Sequence, residues 1–127
     1  MTKIGPIIEI ILYVKDMEAQ VRFYRDKLDL PLSYPSGLGT YHDQTWVTFD
    51  VGECILALHT GGTGDLSQDA PKVVFQVSNI DVAREQLLER GVVLDEIRSP
   101  STGVYVCDGQ DPEGNKFSIE SKILRKE

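Results

Sequence analysis

Hydrophobic and polar positions at the start of the chain follow the pattern of a buried strand and then an amphipathic helix. Residues 6–14 are apolar and largely β-branched, interrupted only by Glu9, which predicts a strand. Asp16 stands where a helix N-cap is expected, and Pro31 marks the end of the helical pattern. The inward-facing helix positions are predicted to be Val21, Tyr24 and Leu28.

The same plan returns in the second half of the chain. Residues 72–77 predict a strand, Ser78 or Asn79 a helix N-cap, and Gly91 a left-handed helix stop. A constant offset of 63 positions relates the halves (72 − 9, 79 − 16 and 91 − 28), which indicates a duplicated module. The paired residues are Glu9 with Lys72, Asp16 with Asn79, and Leu28 with Gly91.

Shorter apolar runs after each helix complete a βαβββ order in both halves. Residues 46–51 and 54–60 predict a hairpin about Gly52, and a weak strand is expected near Tyr41. The strands of the second half are predicted at 92–97, 103–108 and 117–121. The predicted fold class is therefore α+β, in one domain over residues 1–127. Its parts are module 1 at about residues 5–60, a glycine-rich linker at 61–71, and module 2 at about residues 72–122.

Composition narrows the classes of partner. The chain of 127 residues has a formal net charge of −7, which argues against nucleic acid and suits a cationic ligand. No signal peptide or membrane span is indicated, so a cytoplasmic protein without a membrane partner is predicted. Cys54 and Cys107 are isolated and lie in apolar runs, which predicts reduced thiols in the core.

Short motifs in a fixed order carry a family resemblance. They are Leu-Tyr-Val-Lys-Asp at 12–16, Phe-Tyr-Arg-Asp-Lys-Leu at 23–28, Val-Ser-Asn-Ile-Asp at 77–81, Glu-Arg-Gly-Val at 89–92 and Asp-Pro-Glu-Gly-Asn at 111–115. In this order the chain resembles the vicinal oxygen chelate superfamily, which includes glyoxalase I, extradiol dioxygenases, and bleomycin- and fosfomycin-resistance proteins. One departure is Asp29, where that family usually has glycine.

The resemblance implies two βαβββ modules whose curled mixed sheets surround a cleft, usually within a homodimer. It also implies a divalent metal, held by His and Glu side chains from the first and fourth strands of each module. The corresponding positions here are Glu9, Ala57, Lys72 and Ser118. A methyl group and an ammonium offer no lone pair, and a lone serine hydroxyl is a poor ligand, so no metal cofactor is predicted.

Two alternatives stay open at this cleft. A divalent metal could sit at a shifted site made by Glu9, His59 and Glu120, each on the cleft face of its strand. Otherwise Lys72 replaces the charge of the metal, buried against Glu9 or, failing that, Glu120. Such a pair would either contact a ligand or only satisfy buried charges.

The remaining cleft residues follow from strand alternation. Trp46 and Thr48 are expected to face the cleft, where the single tryptophan would bind a flat or cationic ligand or fill the fold or a dimer contact. His59 would act as a general base or be a hydrogen-bonded surface residue. No catalytic residue is assigned. The predicted ligand-binding residues are Glu9, Tyr13, Trp46, Ala57, His59, Lys72, Ser118 and Glu120.

Three classes of function follow from these residues. The first is a homodimer whose cleft binds a small organic molecule, cationic or aromatic, without a metal. The second is a lyase, isomerase or dioxygenase resembling glyoxalase I, with either a shifted metal site or a metal-free site that uses His59 or Glu9 as base. The third is a dimeric interaction protein without catalysis.

Overall fold

The structure is a computed structural model that describes residue 7, residues 9–62 and residues 71–122. The chain divides into two compact units, Met1–Gly64 and Asp65–Glu127. Each unit is described by itself below. Most of the predicted linker, residues 63–70, lies outside the described residues.

Unit 1 has the predicted order of a strand, a helix and three strands. Its elements are β1 (Glu9–Val14), α1 (Met17–Arg22), β2 (Leu32–Tyr34), β3 (Trp46–Val51) and β4 (Cys54–Thr60). The sheet has the order β1-β4-β3-β2, with β1 parallel to β4 and β3 antiparallel to both of its neighbours. The helix continues from α1 into a π-helical turn, Phe23–Lys27.

The helix of unit 1 begins and packs as its sequence predicts. The Asp16 carboxylate accepts the Ala19 N–H at 3.1 Å, so it caps the first turn of α1. Val21 and Tyr24 are fully buried. The strand residues of the same core, paired across β3 and β4, are Val47 with Leu58 and Phe49 with Leu56, all at most 3% exposed.

Asp29 occupies the position where the resembling family has glycine, and its backbone shows why. Its φ of +59° is in the left-handed region, which glycine enters freely and aspartate tolerates better than most residues. The chain leaves the helix here, and the Leu30 N–H bonds to the Tyr24 carbonyl at 3.0 Å. Asp29 therefore adopts a backbone conformation that a glycine would adopt without strain.

The strand expected near Tyr41 is wrong. The short strand of this segment is β2, and Tyr41 lies outside any strand although it is only 3% exposed. Its backbone N–H donates to the Glu18 carboxylate of α1 at 2.6 Å, and the Arg25 guanidinium lies 5.7 Å from its ring centroid. Because the helix satisfies this N–H, the segment packs on α1 without joining the sheet.

Unit 2 repeats the plan with the elements β5 (Val73–Gln76), α2 (Ile80–Glu89), β6 (Arg98–Ser101), β7 (Val104–Gln110) and β8 (Lys116–Lys122). Its sheet has the order β5-β8-β7-β6. Asn79 caps its helix by accepting the Val82 N–H at 3.1 Å, and Gly91 ends it with a φ of +83°. The prediction of two βαβββ modules is confirmed.

The predicted strand at residues 92–97 is also wrong. Only an isolated bridge between Leu94 and Gly109 forms there, and β6 starts at Arg98. Val92 instead donates its N–H to the Leu87 carbonyl at 3.0 Å and is buried, so the start of the segment closes α2. Helix-closing bonds therefore use the backbone groups that a strand would need.

The two cysteines differ in burial. Cys107 lies in the core of unit 2 with no exposed surface, and its thiol contacts the Asp95 carbonyl at 3.2 Å. Burial raises the pKa of this thiol. Cys54 is only partly buried, and both thiols are free. No helix within the described residues is both long and apolar enough to cross a membrane.

Candidate functional site

Strand pairing places the predicted residues of unit 1 on the sheet face opposite to α1. Tyr13 pairs with His59, and His59 pairs with Trp46 across the next strand. Paired residues point to the same face of a sheet. These three side chains therefore form one row across β1, β4 and β3, as strand alternation predicts, and we call this row the aromatic row.

The aromatic row has a defined geometry. The Tyr13 and His59 rings are stacked with centroids 5.7 Å apart and an angle of 27° between their planes. The Trp46 ring meets His59 edge-on, with centroids 5.4 Å apart and an angle of 82°. Tyr13 is 55% exposed, so the row presents aromatic surface to solvent.

The orientation of His59 is set by a backbone group. Its Nδ1 lies 3.0 Å from the Thr45 carbonyl oxygen, which can only accept. Nδ1 therefore carries the hydrogen, and in the neutral ring the lone pair is on Nε2. The Thr45 carbonyl also accepts the Thr60 N–H at 3.1 Å, which holds this acceptor in place.

Glycine supports the other side of Tyr13. A Cβ atom built on Gly62 would lie 2.5 Å from the Tyr13 Cβ and 2.9 Å from its Cγ. No real Cβ makes such contacts, so only glycine lets the backbone pass this closely against the tyrosine. Gly62 therefore packs against Tyr13 of the aromatic row.

The positions that correspond to the metal ligands of the resembling family are called the inherited metal positions; they are Glu9 and Ala57 in unit 1, and Lys72 and Ser118 in unit 2. Those of unit 1 do not make a pair of ligands. Ala57 is fully buried and its methyl group has no donor atom. Glu9 pairs with Ile55, whereas His59 lies four residues further along β4. Four residues span roughly 13 Å of strand, which exceeds the reach of a glutamate and a histidine around an ion with bonds of about 2 Å. Glu9 and His59 therefore do not fit the shifted metal site.

In unit 2 the inherited positions surround a carboxylate that the sequence analysis did not single out. Lys72 Nζ lies 3.0 Å from Asp108 Oδ1, and the Ser118 hydroxyl donates to the same oxygen at 2.5 Å. Arg98 donates from Nε to Oδ2 at 2.8 Å and from Nη2 to Oδ1 at 3.3 Å. We call these four residues the Asp108 cluster.

The partner expected for Lys72 is thereby corrected. Lys72 pairs with Asp108, and its side chain is 33% exposed, so it is not the buried ammonium that was expected. Glu120, the second expected partner, lies 3.6 Å from Lys122 instead. Strand register brings Ser118 to Asp108, because β8 runs beside β7 and places these two residues opposite each other, whereas Glu120 and Lys122 lie on one strand, β8.

The cluster keeps Asp108 ionised. Hydrogen bonds from Arg98 first, and then from Ser118 and Lys72, hold the pKa of this carboxyl well below its usual range, although partial burial acts in the opposite direction. The carboxylate therefore carries a full negative charge near neutral pH, opposite two cations.

The donor set does not fit the divalent metal that the family resemblance implies. In unit 2 the two inherited positions hold an ammonium and a hydroxyl that already donates to Asp108, so neither presents a lone pair suited to an ion. Within the described ranges, no group of three or more His, Cys, Asp or Glu side chains is placed to hold a metal ion.

A signal for Asp108 was present in the repeat. Thr48 pairs with Ala57 in unit 1, and Asp108 pairs with Ser118 in unit 2. Thr48 is also bonded to a β2 side chain, Ser33, with oxygens 2.8 Å apart, as Asp108 is bonded to the β6 side chain Arg98. Extending the repeat to the third strand of each module would have marked Asp108 as a polar position beside Ser118.

These observations define the class of protein. Two βαβββ units, each with a four-stranded mixed sheet and a helix between its first and second strands, are the architecture of the vicinal oxygen chelate proteins. The sequence model of the Glyoxalase/Bleomycin resistance protein/Dioxygenase superfamily matches residues 5–119, and the chain belongs to that family.

Solved structures share the fold at low sequence identity. Lactoylglutathione lyase from Agrobacterium tumefaciens is 19% identical, with a TM-score of 0.74, and the match covers 94% of this chain and 96% of that one. A glyoxalase family protein from Bacillus anthracis is 17% identical, with a TM-score of 0.78 and coverage of 97% and 99%. A glyoxalase/bleomycin resistance protein/dioxygenase from Nocardioides is 20% identical, with a TM-score of 0.78 and coverage of 100% and 89%. No curated protein matches the chain.

Proposed function

We propose that this protein binds a small organic molecule with a flat or cationic group on the aromatic row of unit 1, without a metal. The observation that carries the proposal is the fixed His59 ring, held by the Thr45 carbonyl and in contact with Tyr13 and Trp46. A prearranged aromatic surface loses little conformational entropy when a flat ligand binds to it.

Charge supports a cationic ligand. A cation placed over an aromatic face gains roughly 0.5–2 kcal/mol. Glu9 lies on the same sheet face, and the formal net charge of the chain is −7. Both would attract a positively charged molecule towards unit 1. Ala57 lies on the same sheet face and is fully buried, and its contact with a ligand stays a prediction. Contacts of Ser118 and Glu120 with this ligand stay predictions.

The single tryptophan makes the proposal directly measurable. Trp46 fluorescence can be titrated with benzyltrimethylammonium, an aromatic cation, in chelator-treated protein. We expect saturable quenching of the wild-type fluorescence. Tyr13→Ala should raise the dissociation constant about tenfold, which corresponds to about 1.4 kcal/mol of binding free energy. His42→Gln is the matched control for His59→Gln, because His42 is exposed and its ring nitrogens contact Asp43 and Thr40.

The outcomes separate clearly. Equal dissociation constants for the wild type, Tyr13→Ala and His59→Gln would remove the aromatic row from the site. Binding that disappears after chelator treatment and returns with added nickel or zinc would overturn the metal-free part of the proposal. A set of neutral and anionic aromatic isosteres, run in parallel, shows whether the positive charge matters.

A metal-free enzyme is the second candidate, and one observation favours it. Because His59 Nδ1 donates to the Thr45 carbonyl, the neutral ring presents Nε2 as a proton acceptor, which suits a general base. The Agrobacterium protein is named a lactoylglutathione lyase, so lactoylglutathione is the first compound to test as a substrate with chelator-treated protein. Turnover that His59→Gln abolishes and His42→Gln keeps would support the enzyme, and no turnover would leave the binding role.

We also propose that the protein is a cytoplasmic homodimer. The family relationship supports the dimer. Light scattering on the purified chain should give twice the mass of one chain, and the mass of a single chain would refute the proposal. That result would also exclude the alternative of a dimeric interaction protein without catalysis.

A further inference from the structure

The ring of His59 has one nitrogen atom that no described residue engages. Nδ1 donates to the Thr45 carbonyl, and among the described residues this side chain makes no other hydrogen bond or ion pair. The neutral imidazole therefore keeps a lone pair on Nε2, on the side of the ring away from that carbonyl. Because His59 is only partly buried, its ring is accessible to a donor from outside the chain.

We infer that the aromatic row selects an aromatic amine whose charged nitrogen carries at least one N–H, which donates to His59 Nε2. This inference rests on the proposed function, since it names the class of ligand that the same row prefers. Primary, secondary and tertiary ammonium compounds belong to that class, whereas quaternary compounds, which have no N–H, do not.

The stacked neighbour of His59 does not block the acceptor. Tyr13 lies against a face of the imidazole, with 5.7 Å between the centroids and 27° between the planes. The Nε2 lone pair lies in the plane of the imidazole, so a donor approaches from the edge of the ring. Tyr13 is itself 55% exposed and offers its ring to the aromatic part of the ligand. The ring of the ligand and its nitrogen therefore have separate partners.

A charged donor suits this acceptor better than a neutral one. Hydrogen bonds from a charged N–H are roughly twice as strong as those between neutral groups. The neighbouring aromatic faces favour a positive charge, and Glu9 lies on the same sheet face. The ligand also keeps its proton, because aliphatic amines are much more basic than imidazole. The hydrogen bond is therefore formed without proton transfer.

Hydration acts in the opposite direction, which makes the order of affinities diagnostic. A primary ammonium is compact and strongly hydrated, so it loses more hydration energy on binding than a quaternary ammonium does. A surface that offered only cation–π contacts would therefore prefer the quaternary compound. An acceptor such as His59 Nε2 reverses this order, because it replaces one of the lost hydrogen bonds to water.

The test is a titration of Trp46 fluorescence at pH 7.5 with benzylamine and its N-methyl, N,N-dimethyl and N,N,N-trimethyl derivatives. At this pH the amines are mainly charged and an ordinary imidazole is mainly neutral. The four compounds share one ring and one charge, and only the last has no N–H. We expect benzylamine to bind at least fivefold more tightly than the trimethyl compound, with the largest loss of affinity at the last methyl group.

His59→Phe keeps a ring between Tyr13 and Trp46 but has no nitrogen, so it should abolish or reverse the preference for benzylamine. His42→Phe is the matched control and should keep the preference, because the His42 ring nitrogens contact Asp43 and Thr40. If His59→Phe disturbs the fold, ¹⁵N NMR of the wild type tests the same point. The chain has two histidines, and the His59 Nε2 resonance should shift much further with benzylamine than with the trimethyl compound.

The outcomes separate this inference from the proposed function. Four equal dissociation constants, or tightest binding of the trimethyl compound, would overturn the N–H requirement alone if Tyr13→Ala still weakens binding. An affinity ratio that His59→Phe leaves unchanged would remove Nε2 as the acceptor. The absence of saturable binding for all four compounds would overturn the proposed function and this inference with it.

Discussion

Replacing Asp108 by alanine removes the acceptor on which three side chains of unit 2 converge. The Ser118 hydroxyl loses its partner at 2.5 Å, and Lys72 and Arg98 lose their shared counter-charge. Asp108→Asn is the matched comparison, because the amide keeps an acceptor oxygen for Ser118 but carries no charge. The two substitutions therefore separate the hydrogen bond from the ion pairs.

The magnitude follows from burial. Ser118 is fully buried, so leaving its hydroxyl without an acceptor costs about 1–3 kcal/mol. The pair with Lys72 is one-third exposed and contributes less than about 1 kcal/mol. We assign no stabilisation to Arg98, whose side chain is half exposed. Asp108→Ala should therefore lower the free energy of unfolding by about 2–3 kcal/mol, and Asp108→Asn by about 1 kcal/mol.

The pH dependence has a definite sign. The folded-state pKa of Asp108 is held below its ordinary value of 3.8, so its contribution to stability is fully present above that value. The contribution is lost as the pH falls further and the carboxylate is protonated in the folded state. The difference in stability between the wild type and Asp108→Asn should therefore shrink as the pH falls below 3.8.

Urea unfolding at pH 7 and pH 3 measures both effects. At roughly 4 °C per kcal/mol, Asp108→Ala should also lower Tm by about 10 °C. The double variant with Ser118→Ala should be more stable than additivity predicts, because the second change removes the stranded hydroxyl. A loss below about 0.5 kcal/mol for Asp108→Ala, or strict additivity with Ser118→Ala, would refute the reasoning.

Three further predictions concern single positions. Asp29→Gly relieves a left-handed backbone at φ +59° and should raise the free energy of unfolding by up to about 1 kcal/mol; a loss of stability in urea unfolding would contradict this. Gly109→Ala should destabilise by about 1–3 kcal/mol because its Cβ meets atoms at 2.7–3.0 Å, whereas Gly39→Ala, with nothing within 4 Å, should be close to neutral; equal thermal shifts would refute the contrast. A thiol reagent at pH 8 should label the partly exposed Cys54 well before the buried Cys107, whose thiol pKa is raised; equal rates would contradict the burial.

Most of the fold could be predicted because its signals are local. Asp16 and Asn79 cap helices through contacts with residues three positions away, and the hairpin of β3 and β4 has the predicted bounds. Strand alternation also placed Tyr13, Trp46 and His59 on one face, since the side chains of a strand alternate with a period of two. The predictions of strands at residues 92–97 and near Tyr41 are wrong because backbone groups there form other hydrogen bonds. The Val92 N–H bonds to the end of α2, and the Tyr41 N–H donates to the distant Glu18 carboxylate.

The partners within the candidate sites were decided by tertiary structure. Sequence alone determined that the metal positions hold Glu9, Ala57, Lys72 and Ser118, because a residue's donor chemistry does not depend on its surroundings. It did not determine that Lys72 and Ser118 meet Asp108, or that His59 donates to the Thr45 carbonyl. Those contacts join residues 10 to 36 positions apart, and only the register between neighbouring strands and the path of the loops brings such residues within hydrogen-bond distance.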